Sequence, residues 1–150
     1  MLNQDYMLRK MTAKDLEQII NIEKTVFTMP WSQESYSSEL KNSFAHYLVA
    51  DIVGKVVAYG GIWVVFEEAH ITNIAVHVDY QHQGLGKSLL KGLERLALQK
   101  KADHIYLEVR PSNLTAINMY ESLGYGQSGL RKSYYPDNGE NAIIMSKLLF

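Results

Sequence analysis

The sequence predicts a mixed α/β (α+β) domain on one central sheet, with its elements in the order β-α-α-β-β-β-α-β-α-β-β. Three observations carry that expectation. β-Branched and aromatic runs recur at 46–51, 56–66 and 69–78, with turn-type residues between them. The segments 16–26 and 85–100 instead place apolar residues at helical spacing. A glycine-rich loop joins the third run to the second of these helices, and another strand-like run, 104–109, follows. That strand–loop–helix–strand crossover, 71–109, is expected to be right-handed with parallel strands.

Taken in order, Tyr6–Arg9 forms a short first strand. Thr12-Ala13-Lys14-Asp15 resembles a capping box, with Asp15 in the place of the usual Glu. Leu16, Ile19, Ile20 and the stretch from Glu23 to Val26 continue it as a helix. Met29-Pro30-Trp31-Ser32 breaks that helix, and Ser32 caps a second one reaching Lys41. His46–Asp51, Val56–Phe66 and Ala69–Val78 form an antiparallel meander, turning at Ile52-Val53-Gly54-Lys55 and at Glu67-Glu68. Leu85, Leu89, Leu90, Leu93, Leu96 and Ala97 give the next helix its apolar face. After the strand His104–Val109, Pro111-Ser112-Asn113 starts a helix with Ala116, Ile117, Tyr120 and Leu123 on one face and Gly124 as its stop. Tyr125–Lys132 and Asn141–Leu149 pair as a final β segment around the loop Tyr134-Tyr135-Pro136-Asp137-Asn138-Gly139.

Length and composition narrow the function classes. The 150 residues are expected to form a single domain over 1–150, long enough to bury a core without staples. The chain has no cysteine, which removes disulfides, a thiolate nucleophile and zinc–thiolate sites. A net charge of −1 supplies no global basic field, so direct nucleic-acid binding is not expected. No stretch approaches the run of about 18 apolar residues of a membrane span. Met1 to Tyr6 lack a basic segment leading into an apolar one, so no leader and no membrane association are expected and the cytoplasm is the expected location. The five histidines, His46, His70, His77, His82 and His104, show no paired helical spacing, and no metal site is expected.

The glycine-rich loop reads Gln81-His82-Gln83-Gly84-Leu85-Gly86-Lys87-Ser88. A loop of this kind at a helix N-terminus points backbone N–H groups outward and adds the positive end of the helix dipole, which suits a phosphate. Two common phosphate motifs do not fit. A P-loop needs glycine where Gln81 stands, and a dinucleotide fingerprint needs glycine where Leu89 stands. A plain βα turn whose glycines serve only backbone geometry stays open on the loop alone.

The residues around the loop resemble a known family. Asn73-Ile74-Ala75-Val76 followed by Gln81, Gly84 and Gly86 is similar to the cofactor-binding core of the GCN5-related N-acetyltransferases (the GNAT superfamily). Met29-Pro30-Trp31-Ser32, Leu107-Glu108-Val109-Arg110, Asn113, Tyr120-Glu121-Ser122-Leu123-Gly124-Tyr125, Tyr134-Tyr135-Pro136 and Ala142-Ile143-Ile144-Met145 resemble its ribosomal-protein-alanine (RimI-type) branch. The resemblance implies the GNAT fold, with a V-shaped splay between the strands at 69–78 and 104–109. It implies acetyl-CoA as cosubstrate, with its pyrophosphate on residues 81–88 and its pantetheine arm beside Ile74, Ala75 and Val76. A backbone N–H of that strand then polarises the thioester carbonyl.

The same resemblance makes Glu108 the general base and Tyr120 the proton donor to the leaving thiolate. It gives Asn113 a cofactor contact and sets Trp31, Tyr134 and Tyr135 around the acceptor. The residues alone leave other readings open: Glu108 as a surface carboxylate paired with Arg110, Tyr120 as core, and Asn113 as a helix cap. An α-amine of pKa about 7.8 is about one-seventh neutral at pH 7, whereas a lysine of pKa about 10.4 is neutral about once in 2,500. A carboxylate base therefore suits an N-terminal amine, and the resemblance points to the N-terminal alanine of a small-subunit ribosomal protein. A small-molecule amine or lysine acceptor, and a CoA-binding module without chemistry, are the alternatives.

Overall fold

The computed structural model describes residues 5–150; residues 1–4, which open the segment read for a leader, lie outside the described residues. Among the described residues the strands are β1 (Met7–Lys10), β2 (Ala45–Ile52), β3 (Lys55–Val65), β4 (Glu68–Val76), β5 (His104–Val109), β6 (Gly126–Arg131) and β7 (Ala142–Leu148). The helices are α1 (Leu16–Val26), α2 (Gln33–Lys41), α3 (Leu85–Gln99) and α4 (Leu114–Ser122). Their order is the expected one. β4 ends two residues earlier than its apolar pattern. The His77 imidazole accepts a hydrogen bond from the Asp79 N–H at 3.1 Å, and Val78–Tyr80 wind into a 3-10 turn. A local side-chain bond to backbone competes here with the ladder.

The caps form where short-range chemistry predicts them. Ser32 accepts the Ser35 N–H at 3.1 Å at the start of α2, and Asn113 accepts the Ala116 N–H at 3.2 Å at the start of α4. The Asp15 carboxylate accepts the Thr12 N–H at 2.8 Å before a 3-10 turn that runs into α1.

The strands form one sheet in the order β1-β2-β3-β4-β5-β7-β6. β7 inserts between β5 and β6, pairing antiparallel with both. α1 and α2 cover one face, where Ile19, Ile22, Tyr36, Tyr47, Tyr59 and Ala75 pack together. α3 and α4 cover the other. There Leu89, Leu90 and Leu93 meet inward residues of β2–β5, and Tyr120 joins the same layer. Each of these leucines contributes up to about 3 kcal/mol on burial.

β4 and β5 run parallel, as the crossover requires, but share only the pairs Glu68–His104, Ala69–Ile105 and His70–Tyr106. Beyond them the strands part, giving the expected splay. On its other edge β4 carries a bulge opposite Gly61 and Ile62, which places Thr72 outside the register. Bulges bend a strand and raise its twist, so this one turns β4 away from β5. The Tyr47 ring fills the space over Gly61, and its hydroxyl bonds Glu39 at 2.7 Å and Thr72 at 2.9 Å.

Two predictions follow from this packing. A Cβ on Gly61 would lie 2.2 Å from the Tyr47 ring, which its hydrogen bonds hold in place. Gly61→Ala is expected to destabilise the fold by about 1–3 kcal/mol, read as a lower urea midpoint. An unchanged midpoint would refute the close packing.

Asp15 is nearly buried, and the Arg9 guanidinium at 2.8 and 2.9 Å, with the Thr12 N–H, holds its carboxyl below the usual range. Its folded pKa lies below the unfolded value of about 3.9, so its contribution is complete above that value and is lost as pH falls through the folded one. Asp15→Asn is expected to lower stability at pH 7 and to narrow its gap to wild type below pH 4, measured by denaturant titration at each pH.

Candidate active site

Past His70 the β5-facing edge of β4 has no strand partner among the described residues. The His77 N–H bonds the Val57 carbonyl on β3 at 2.8 Å. Backbone groups alternate sides along a strand, so Ala75 also faces β3 while the N–H groups of Ile74 and Val76 face the open side. The side chains of Ile74 and Val76 pack toward Leu85 and Leu89, and Ala75 is buried against the α1–α2 layer.

The glycine-rich loop starts at the same strand end. Gln81 donates its side-chain amide to the Val76 carbonyl at 3.0 Å, which ties the loop to the strand. Gly84, at φ +87°, is the N-cap of α3, and no side chain caps the helix. Ser88 N–H makes the first helical bond, to the Gly84 carbonyl, so the amides of Leu85, Gly86 and Lys87 precede the hydrogen-bonded ladder. Leu85 is buried and offers only its backbone, whereas His82 and Lys87 are exposed and Gln83 and Ser88 are half-buried. A Cβ on Gly86 would lie 3.2 Å from the Met119 sulfur, so this glycine also lets α3 approach α4.

Glu108 stands on β5 just past the last rung shared with β4. Ile105, Leu107 and Val109 point into the α3–α4 layer, so Tyr106 and Glu108 point to the opposite face. The Glu108 side chain is only 8% exposed. Its two oxygens lie 2.8 and 2.9 Å from His70 Nε2, and Oε1 accepts from the Tyr134 hydroxyl at 3.3 Å. The alternative pairing with Arg110 does not occur. Arg110 turns to the loop between β6 and β7, bonding Asp137 at 2.8 Å, Asn138 at 3.1 Å and Glu140 at 3.2 Å, with its guanidinium 3.9 Å from the Tyr135 ring centre. Thr28 adds a bond to Asp137 at 2.9 Å, and Glu140 accepts the Ser112 N–H at 3.0 Å. These contacts pin the loop so that Tyr134 reaches Glu108.

Tyr135 packs edge-on against Tyr134, 5.0 Å between centroids, and burial pushes its phenol up to about 12. Tyr120 lies in the α3–α4 layer, 5.8 Å from Tyr125. Burial, with a smaller effect from Tyr135, pushes its phenol up to about 12 as well. Among the described residues its hydroxyl has no hydrogen-bond partner, yet no fully buried polar side-chain atom is unsatisfied, so that hydroxyl meets accessible space. No hydrogen bond joins Tyr120 to Glu108; they approach the splay from opposite layers. Asn113 caps α4 through its Oδ1, which accepts the Ala116 N–H.

Trp31 is exposed and packs on Tyr36 at 5.2 Å. Its backbone N–H donates to Glu23 at 2.9 Å. Glu23 is almost fully buried and also accepts from the hydroxyls of Tyr36 and Tyr59 and from the Asn73 amide at 3.1 Å. Burial, together with this carboxylate, raises both phenols and keeps them donors.

An open strand edge, an uncapped helix N-terminus and a sheltered carboxylate thus meet where β4 and β5 part. The acetyltransferase (GNAT) family pattern matches residues 16–125, most of the chain. The chain belongs to this family. A Bacillus subtilis (strain 168) protein provisionally named ribosomal protein bS18-alanine N-acetyltransferase is 42% identical over 139 residues, 92% of either chain. The ribosomal protein bS18-alanine N-acetyltransferase of Escherichia coli (strain K12) is 37% identical over 141 residues, 93% of this chain and 95% of its own. A crystal structure of the ribosomal-protein-S18-alanine N-acetyltransferase from Escherichia coli has a TM-score of 0.89 at 35% identity, covering 97% of this chain and 94% of that one. The sheet order and splay are thus those of a GNAT acetyltransferase. No helix among the described residues is long and apolar enough to cross a membrane.

Sequence reasoning missed three parts of this GNAT site: His70, the Glu23 cluster and the Arg110 clasp. All depend on contacts between residues distant in the chain. Only for His70 was there a usable signal, because a parallel β4–β5 pair brings one β4 side chain beside Glu108.

The clasp generates a prediction. Exposed ion pairs are individually worth up to about 1 kcal/mol, but here three acceptors and an aromatic ring converge on one guanidinium. Arg110→Ala is expected to speed amide exchange at Ser112 and through 135–140, with the core strands unchanged, as read by hydrogen-exchange mass spectrometry.

Proposed function

We propose that this chain is an acetyl-CoA-dependent Nα-acetyltransferase acting on the N-terminal alanine of a small-subunit ribosomal protein in the cytoplasm. The observation that carries the reading is the sheltered Glu108 carboxylate beside the open edge of β4, in a chain 37–42% identical to relatives named for this activity. The family and these relatives support an acetyl-CoA donor and a protein acceptor.

The pyrophosphate of acetyl-CoA binds the amides at the start of α3, with Lys87 and Ser88 adding side-chain contacts; His82 and Gln83 flank it. The pantetheine arm lies along Ile74, Ala75 and Val76 as an added strand, bonding to the outward-facing backbone. Asn113 contacts the cofactor from the head of α4. Trp31, Tyr134 and Tyr135 wall the acceptor. The neutral amine attacks the thioester carbonyl, whose developing oxyanion is met by an N–H of Ile74 or Val76. Glu108 takes the proton that the amine loses. The carbon–sulfur bond breaks, and Tyr120 gives its proton to the departing CoA thiolate. A phenol raised to about 12 stays protonated at neutral pH, which suits a donor.

A panel of peptides differing in the first residue, with one acetylated N-terminus carrying an internal lysine, tests this by mass detection. Modification is expected at N-terminal alanine and not at lysine; reaction of lysine or of free amines alone would refute the acceptor assignment. Glu108→Gln and Tyr120→Phe are each expected to lower kcat by about a hundredfold. Unchanged turnover in either removes that residue's role, and a wild-type chain that binds CoA without turnover identifies a binding module.

A further inference from the structure

We propose that His70 is a positioning residue for Glu108, holding the carboxylate so that its Oε2 atom takes the proton from the acceptor amine. The inference rests on the reading of Glu108 as the general base, and deepens it. His70 Nε2 lies almost equally far from the two carboxylate oxygens, at 2.8 and 2.9 Å. A nitrogen so placed sits on the bisector of the carboxylate and uses the inward-facing lone pairs of both oxygens. An ionised carboxylate only accepts, so Nε2 is the protonated ring nitrogen. Oε1 also accepts from the Tyr134 hydroxyl at 3.3 Å. Among the described residues Oε2 has no partner besides His70, so it is the oxygen left for an incoming amine.

The ring is itself held. It stacks on Tyr106 at 4.5 Å and 13° between planes, and it occupies the last rung that β4 shares with β5. His70 therefore joins the two strands at the apex of the splay and fixes the carboxylate just beyond it.

The experiment compares wild type, His70→Ala, His70→Gln and Glu108→Gln with acetyl-CoA and an N-terminal-alanine peptide. The Gln amide can return an N–H to the place of Nε2, whereas Ala cannot. His70→Ala is expected to lower kcat about tenfold to a hundredfold with the KM for acetyl-CoA unchanged, and His70→Gln to recover to within about fivefold of wild type. A wild-type kcat in His70→Ala, or His70→Gln no better than Ala, overturns the proposal while leaving a disabled Glu108→Gln to support the base. Full activity in Glu108→Gln overturns the base reading instead. A readout without turnover separates the two. In proton–nitrogen NMR spectra the His70 Nε2–H is expected to be protected from exchange in wild type and lost in Glu108→Ala. Identical spectra overturn the contact.

Discussion

After His70 and Tyr106, β4 and β5 no longer share a ladder, and the open edge of β4, the start of α3 and Glu108 are arranged around that parting. The bulge at Thr72 bends β4 away, while β5 stays paired along its other edge with β7. A sheet normally closes such an edge, because unpaired backbone groups are costly to bury and sticky when exposed. Here the edge is left open along Ile74 and Val76, next to the free amides of α3. On the proposed reading, one extended ligand satisfies both, with its chain along the strand and its phosphates on the helix.

The α1–α2 layer is unusual in being held by buried carboxylates as well as hydrocarbon. Glu23 collects Tyr36, Tyr59, Asn73 and the Trp31 backbone; Glu39 collects Tyr47 and the Trp63 indole, both at 2.7 Å. Neither carboxylate has a salt-bridge partner among the described residues. Charge-assisted hydrogen bonds from several fixed donors offset the desolvation that an isolated buried charge would suffer. The geometry is correspondingly strict, and it reaches β4 at Asn73, adjoining the open edge. The opposite layer is packed mainly with aliphatic side chains, which set distance more than direction.

Much of the fold was legible because its signals are local. Ser32 and Asn113 are caps wherever a helix begins, the leucine stripe of α3 needs only its own period, and the crossover rule makes β4 and β5 parallel without any contact being known. β4 was read two residues too long because hydropathy does not register the His77 bond to its own turn. The site was legible in its members more than in its contacts. Glu108 stood out, but its neighbours did not: Arg110, two residues away, serves a loop nearly thirty residues on, while His70 comes from another strand. Gln81 is expected beside the cofactor within the loop 81–88, and what its side chain does besides, bracing Val76, has no signal in the sequence. Such pairings are set by register and by loop closure, which no short window contains.

The Glu23 cluster bears on how this surface can diverge. Tyr36, Tyr59 and Asn73 all donate to the one Glu23 carboxylate, so replacing Glu23 removes an acceptor from all three at once. Changes at these four positions are therefore coupled. Single-step drift is left to side chains that hang on this frame without supporting it, such as the exposed indole of Trp31. The backbone of Trp31 is locked through its N–H while its indole remains free to be exchanged. On the proposed reading, a lineage can thus resculpt one wall of the acceptor cleft while inheriting the scaffold behind it as a coupled block.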